Sequence, residues 1–248
     1  MNINILRYET IDSTNSEAAK QAKLGADEGV CVIAKQQTAG RGRNGRDWIS
    51  HANSGLYFSI VLRPKIDARY LPLITLMAGV AVWDTLKELG VKPVIKWVND
   101  VLVDNKKICG ILAETVDTSS GLAVIVGIGV NLTSANFPDE IADTATSIKA
   151  ETGKTVLADE LAERLTPFLF YFYDILNSAD GPREIIERWR QRSSYFSGKP
   201  VRVTLNDGSI DGITDGLEEN GALRVKLVDG SVRIIQAGDV ERLRQNDR

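Results

Sequence analysis

The chain has 248 residues, 43% of them hydrophobic and 25% charged, with a formal net charge of −3. That length supports a substantial core, arranged as one large domain and a small one, and the composition is that of an ordinary globular protein. The charge balance excludes a protein built as a whole to lie on nucleic acid, and two cysteines without metal-ligand spacing, Cys31 and Cys109, exclude a disulfide framework and read as buried reduced thiols.

Met1 to Tyr8 lacks the charged-then-apolar pattern of a secretory signal. The longest mostly apolar run, Leu71 to Trp83, is too short to cross a bilayer. A cytoplasmic location without membrane attachment is the expectation, and the sequon at Asn131-Leu132-Thr133 is then a chance match.

In chain order, Ile3 to Tyr8 reads as a strand. Asp12-Ser13-Thr14-Asn15 is a helix-start signal for Ser16 to Leu24, which Gly25 ends. Val30 to Lys35 and Gly55 to Leu62 are β-branched strands on either side of a glycine- and arginine-rich loop. From Ala68 to Leu89 apolar residues recur at helical spacing, with Pro72 in the first turn and Gly90 as the stop. Val94 to Trp97 is a short strand, and Val101 to Val103 and Lys106 to Thr115 form a hairpin about Asp104-Asn105. Leu122 to Leu132 is nearly all apolar, as expected of a central strand buried on both faces.

Asn136 to Ser147 reads as a loop. Leu157 to Asn177 and Arg183 to Arg192 read as helices, the first kinked or split at Pro167. Beyond Ser197-Gly198 short alternating strands are separated by Asn206-Asp207-Gly208, Asn220-Gly221 and Asp229-Gly230, strong hairpin signals. They predict a small SH3-like β-barrel over residues 197–248, following a larger domain over residues 1–196.

The loop from Gln37 to Trp48 carries Gly40, Gly42 and Gly45 interleaved with Arg41, Arg43 and Arg46. Glycines allow close backbone approach and arginines offer cationic forks for phosphate or carboxylate. A loop of this kind is expected to be mobile when empty and to tighten around an anion. A dinucleotide-binding turn would need a helix directly after the third glycine, and Arg46-Asp47-Trp48 does not begin one. A P-loop would need Lys and Ser/Thr where Arg46 and Asp47 stand. A solvated basic hairpin or a patch for nucleic-acid phosphates is the plainer alternative.

Three segments belong with the loop. Lys96 to Asp100 brings a cation, an amide and a carboxylate to one strand end; Lys107 to Glu114 sets Lys107 opposite that end, with Gly110 permitting close approach; and Gly127 to Leu132 carries the amide of Asn131. Together with Asp12 to Asn15, Gly55 to Ile60, and Phe137-Pro138 ahead of Ala145-Thr146-Ser147, these motifs resemble, in order, the biotin–protein ligase family. Two departures stand out: the family usually has proline where Val98 stands, which implies a looser turn at Asn99 and Asp100, and the N-terminal helix-turn-helix of the repressor members is missing from this sequence, so DNA binding is not expected.

The resemblance implies an α+β fold, a mixed sheet with helices on one side of the class II synthetase-like kind. It also implies a two-step reaction, in which ATP activates biotin to biotinyl-5′-AMP and a lysine of a biotin carboxyl carrier protein then displaces AMP. Arg41, Arg43, Lys107 and Asp100 are the implied catalytic set. Ser13, Thr14, Asn15, Gln37, Arg41, Gly42, Arg43, Lys107 and Gly110 are implied for biotin. Arg43, Arg46, Trp48, Lys96, Asn99, Asn131 and Ser147 are implied for the nucleotide, with Mg²⁺ near Asn99 and Asp100.

Joining a carboxylate to a polyphosphate sets anion against anion, so cations have to neutralise both. The acceptor lysine poses the opposite problem, because at a pKa of about 10.4 only about one in 10³ is neutral at pH 7. Asp100 as orienting group or base, or a depressed pKa near the arginines, would each answer it. A lipoate or octanoate ligase is the nearest enzymatic rival, a nucleic-acid-binding module the distant one. The residues leave a homodimer open.

Overall fold

The structure is a computed structural model that describes residues 3–205 and 208–242; the expected turn at Asn206-Asp207 lies outside them. Seven strands form the first sheet: β1 Asn4–Ile11, β2 Val30–Gln37, β3 Gly55–Leu62, β4 Val94–Lys96, β5 Asp100–Val103, β6 Lys106–Thr118 and β7 Gly121–Asn131. Their spatial order is β1-β2-β3-β7-β6-β5-β4, with only the β1–β2 pair parallel. The sequence between β1 and β2 holds helix α1, Thr14–Lys23, the crossover that a parallel pair requires.

Helix α2, Leu73–Glu88, buries almost its whole length, because Leu, Ile, Met, Val and Ala leave it no polar face. With α5, Ala158–Leu176, and α6, Gly181–Arg192, it covers one face of the sheet, and alternate residues of β3 (Leu56, Phe58, Ile60, Leu62) point into that core. Two short helices, α3 Asp139–Ala142 and α4 Ile148–Thr152, lie between β7 and α5.

Helix α1 departs from the expectation of helices on one side. Ala18 and Ala22 pack against Val32, Val61 and Ile125 on the opposite face. All eight residues of β3 are buried, and at a period of 2 they face both sides of the sheet, so a second layer is needed there. Because α1 is only ten residues long, it covers one end of that face and leaves the other end for a pocket. The expected split at Pro167 does not occur: α5 runs through it, with Leu161 and Leu165 buried before the proline and Leu169 and Phe172 after it. Packing on both sides outweighs the one hydrogen bond that proline cannot donate.

The C-terminal residues form an antiparallel sheet of β8 Ser197–Leu205, β9 Gly208–Leu217, β10 Leu223–Lys226, β11 Val232–Ile235 and β12 Asp239–Arg242, in the order β11-β10-β9-β8-β12. Among the described residues no pairing joins β11 to β12, so the five strands form an antiparallel sheet without the closure expected of a barrel. The hairpin turns are local and readable, whereas closure depends on two four-residue edge strands that no local signal brings together. The sheet shares its core with the larger layer, Val201, Val203, Leu223 and Val225 joining the same apolar cluster as α2. Trp97, 2% exposed, donates its Nε1–H to the Gly221 carbonyl at 2.9 Å. A Cβ on Gly221 would come within 2.9 Å of Leu73 and Leu76 of α2, and its φ of +83° suits only glycine.

Candidate active site

The uncovered end of the sheet face is floored by strand register. Tyr57, Gly129, Gly110, Asp100 and Lys96 lie side by side across β3, β7, β6, β5 and β4, and Ser59, Gly127 and Leu112 form the next row. The glycines make the floor flat. A Cβ on Gly129 would stand 2.4 Å from the Trp48 ring and one on Gly110 2.9 Å from it, while one on Gly127 would stand 2.2 Å from Asn15 Oδ1.

The N-terminus of α1 forms the inner wall. Gln37 Oε1 accepts from the Thr14 backbone N–H at 2.8 Å and from its hydroxyl at 3.1 Å, while Gln37 Nε2 donates to Ser50 Oγ at 2.8 Å. Ser59, fully buried, has its hydroxyl 2.8 Å from Thr14 Oγ1 and 2.6 Å from Asn15 Oδ1. Asn15 Nδ2 donates to Glu114 at 2.7 Å and to the Leu112 carbonyl at 3.3 Å. These buried amides and hydroxyls are partnered, so their directions are fixed before anything enters. Ser13 is buried beside them, and its hydroxyl does not cap the helix.

The arginine loop is folded as a hairpin. Trp48 N–H donates to the Gly40 carbonyl at 2.9 Å, Arg41 bridges Asp47, and Asn44 takes the left-handed conformation at φ 56°. Each arginine reaches a different partner. Arg41 grips Glu114 with two bonds of 2.9 and 2.8 Å; Arg43 donates to Asn99 Oδ1 at 3.3 Å and the Gly238 carbonyl at 3.5 Å; Arg46 pairs with Asp239 of the C-terminal sheet. Asn99 is pinned in turn, its Nδ2 donating to the Ile111 carbonyl at 3.0 Å and its own carbonyl accepting from the Ile111 N–H at 2.9 Å. The turn expected to loosen without proline therefore holds Asn99 from both ends; the Trp97–Val98 peptide is cis.

Two cavities meet here. The first, of about 120 Å³, lies over the glycine floor and is narrow because the Trp48 ring covers part of it. The second, of about 1380 Å³, opens beyond, between the loop, the β5–β6 hairpin, the chain around Phe137 and Ile141, and the start of β8. Arg46, Asp47, Trp48, Tyr57, Asp100 and Lys107 line both. At that junction Lys107 Nζ lies 2.6 Å from Asp100 Oδ1 and 5.5 Å from the Trp48 ring centre, and Lys96 Nζ lies 3.7 Å from Asp100 Oδ2. Asp100 thus sits between two cations, 18% exposed.

Ser13, Thr14, Asn15, Gln37, Arg41, Gly42, Arg43, Arg46, Trp48, Asn99, Asp100, Lys107 and Gly110 gather around the first cavity, and Lys96 and Asn131 line the second. Asn131 does so while bracing the site, its Nδ2 donating to the carbonyls of Thr146 at 3.0 Å and Lys107 at 3.3 Å. Ser147 lines neither. It is fully buried and caps α4, accepting from the Ala150 N–H at 3.2 Å.

Glu114, Ser59, Gly127 and Gly129 were missed, although strand parity from Gly110 and Tyr57 puts all four on the pocket face. Asp239 carries no comparable signal, since 193 residues separate it from Arg46.

Among the described residues no three potential His, Cys, Asp or Glu ligands cluster for a metal. The residues named for Mg²⁺ do not fit a resident ion: Asn99 Oδ1 faces the Arg43 guanidinium, and Asp100 is flanked by two ammonium groups. The two cysteines are buried and unbonded to each other; burial pushes the Cys31 thiol up to about 12 and the Cys109 thiol further still.

Set beside known proteins, residues 8–131 match the biotin/lipoate A/B protein ligase family and residues 196–243 match the biotin protein ligase C terminal domain. The biotin–[acetyl-CoA-carboxylase] ligase of Paracoccus denitrificans is 35% identical over 237 residues, 92% of this chain and 96% of that protein. The bifunctional ligase/repressor BirA of Bacillus subtilis is 32% identical over 246 residues, 97% of this chain and 74% of that protein. The biotin protein ligase from Aquifex aeolicus in complex with biotin and ATP has the same fold, with a TM-score of 0.85 at 29% identity over 97% of this chain and 99% of that one. The chain belongs to the biotin/lipoate A/B protein ligase family. Its second match, through the C-terminal sheet, places it on the biotin side of that family.

Proposed function

We propose that this chain activates biotin with ATP to biotinyl-5′-AMP and transfers the biotinyl group to a lysine of a biotin carboxyl carrier protein. One observation carries the reading: Lys107 stands where a narrow, glycine-floored cavity with oriented amides meets a wide cationic one.

The bicyclic head of biotin lies on Gly110, Gly127 and Gly129, where its apolar edge meets backbone rather than side chain. Its ureido group, two N–H donors about a single carbonyl acceptor, meets Ser13, Thr14 and Gln37. Asn15 orients rather than binds, since its amide is already committed to Ser59, Leu112 and Glu114. The valeryl chain runs toward Lys107. A carboxylate oxygen of biotin attacks the α-phosphorus of ATP, the bond to the bridging oxygen breaks, and pyrophosphate leaves with the electron pair. Lys107, Arg43 and Arg46 offset the negative charge that two anions bring together, in a site partly shielded from water. Trp48 and Phe137 border the space for the adenine. Mg²⁺ enters as part of the nucleotide substrate, which is how that ion usually binds, with its own waters and phosphates.

In the second step the neutral acceptor amine attacks the acyl carbon, the acyl C–O bond breaks with its electron pair leaving on AMP, and the nitrogen gives up its proton to solvent. Lys96 and Lys107 beside Asp100 favour the uncharged form of an incoming amine, since like charges disfavour a third ammonium. Asp100 then accepts its hydrogen bond and orients it.

Incubation with biotin, MgATP and a carrier domain tests the assignment. The expected result is one biotinyl group on one lysine of the carrier, seen by intact-mass measurement. Transfer of lipoate instead would move the chain to the lipoate side of its family. A nucleic-acid module would show salt-sensitive polynucleotide binding and no labelling.

A further inference from the structure

The wide cavity is built by both sheets, and its chemistry differs along its wall. Phe137, Ile141 and Ala145 give part of its wall apolar character, beside the polar Asn131, Asn136 and Thr144. Another part lies past Asp100, where Lys96 projects from β4 and Tyr195, Lys199 and Pro200 enter from the C-terminal segment. A short chain of contacts fixes that juxtaposition. Ser193 donates its hydroxyl to the Ile95 carbonyl at 2.6 Å, which sets the segment beyond α6 against β4 next to Lys96. Lys199 follows as the third residue of β8, its N–H donating to Thr214 Oγ1 at 3.0 Å and its ammonium 4.9 Å from the centre of the Tyr195 ring. The aromatic face holds the ammonium itself, and both residues line the wide cavity.

Displacement at phosphorus proceeds with the attacking and leaving oxygens roughly in line. If biotin's carboxylate arrives from the narrow cavity, the leaving group points away from it. Lys107 and Arg46 line both cavities, whereas Lys96 and Lys199 line only the wide one. The far side of the phosphorus is therefore the end where Lys96 and Lys199 stand.

We infer that Lys199, supplied by the C-terminal sheet, binds the β- and γ-phosphates of ATP and holds the pyrophosphate as it leaves. This rests on the proposed adenylation and deepens it by giving the second sheet a direct part in the nucleotide site. The balance is that of the first step alone: the carboxylate–phosphorus bond forms, the α–β bridging bond breaks, and the displaced pyrophosphate is received by Lys96 and Lys199.

The test uses the full chain with Lys199→Met, which keeps an apolar stem without the charge, Lys199→Arg, and Lys226→Met as a lysine elsewhere on the same sheet. Biotin-dependent exchange of pyrophosphate into ATP reads the first step, and transfer from preformed biotinyl-5′-AMP to a carrier reads the second. Loss of one charged contact is expected to raise the KM for ATP and for pyrophosphate about tenfold in Lys199→Met. Biotin affinity and transfer from preformed adenylate should stay at the unsubstituted level, Lys199→Arg should recover most of the loss, and Lys226→Met should change neither. An unchanged pyrophosphate KM in Lys199→Met would overturn the inference, and so would an equal fall in both half-reactions, the mark of a merely structural lysine. Absence of any exchange in the unsubstituted protein would overturn the underlying function and this with it.

Discussion

The floor of the narrow cavity and the arginine loop above it are held by different physics. The floor is backbone: three glycines on adjacent strands, fixed by ladder hydrogen bonds and by a core that buries the opposite face. Its polar rim is tied together by hydrogen bonds between Thr14, Asn15, Gln37 and Ser59. The loop is attached by its side chains, each arginine to a different element, and these pairs are partly solvated. Arg46 is 68% exposed and Arg41 47%. A ligand can exchange such contacts at small net cost, whereas it cannot move the floor. Shape selection therefore resides in the sheet, and charge neutralisation and closure reside in the loop.

The largest effect that distinguishes the two regions is expected from Gly129→Val. A branched side chain there meets the Trp48 ring and fills the floor, so biotin affinity should fall by 100-fold or more, on the order of 3 kcal/mol, with the circular dichroism spectrum retained. Titration calorimetry with biotin alone reads it, and wild-type affinity in this variant would mean that the floor is not the biotin surface.

Next is Lys107→Ala, which removes the cation shared by both cavities. Adenylate formation should fall by about 10²- to 10³-fold, measured in single turnovers, with a smaller loss of biotin affinity. Loop variants should act more weakly on binding. Asp239→Asn, which unpairs Arg46, is expected to cost about 1 kcal/mol or less and to raise tryptic cleavage at Arg43 and Arg46 in the free protein. Biotin with MgATP should suppress that cleavage; failure to do so would break the link between the loop and closure.

The smallest effects concern groups away from both regions. Cys31 and Cys109 are raised by burial, so they stay protonated through the physiological range, and thiol reagents at pH 8 should label neither until the chain unfolds. The sign of the linkage is fixed by the same shift. The folded state keeps a proton that the unfolded state loses near its ordinary thiol pKa, so these thiols lower stability as pH rises above that value, toward about 12 for Cys31. Urea midpoints measured from pH 7 to 10 check it.

Much of the floor was legible in the sequence, because β3 and β7 are apolar runs with unmistakable ends and the hairpin about Asp104-Asn105 sets β5 against β6. Gly110 and Lys107 could be placed from that hairpin alone. Glu114 was within reach, since it shares the parity of Gly110, but nothing in its neighbourhood announces that Arg41 will cross the cavity to meet it. Asn99 was expected beside a metal and stands instead against a guanidinium, because its partner lies 56 residues away. Asp239 and Lys199 could not be read at all: a small sheet declares its own hairpins, while the face it turns to the larger layer is decided by Trp97, Gly221 and α2 together.

One measurement bears most directly on the division between a fixed floor and an exchangeable cationic loop. Exchange of labelled pyrophosphate into ATP should be driven by biotin and by no other carboxylic acid at the same concentration, lipoate included, and should fall by about 10²-fold or more in Lys107→Ala while biotin still binds. Exchange driven equally by lipoate, or persisting undiminished without Lys107, would contradict the account.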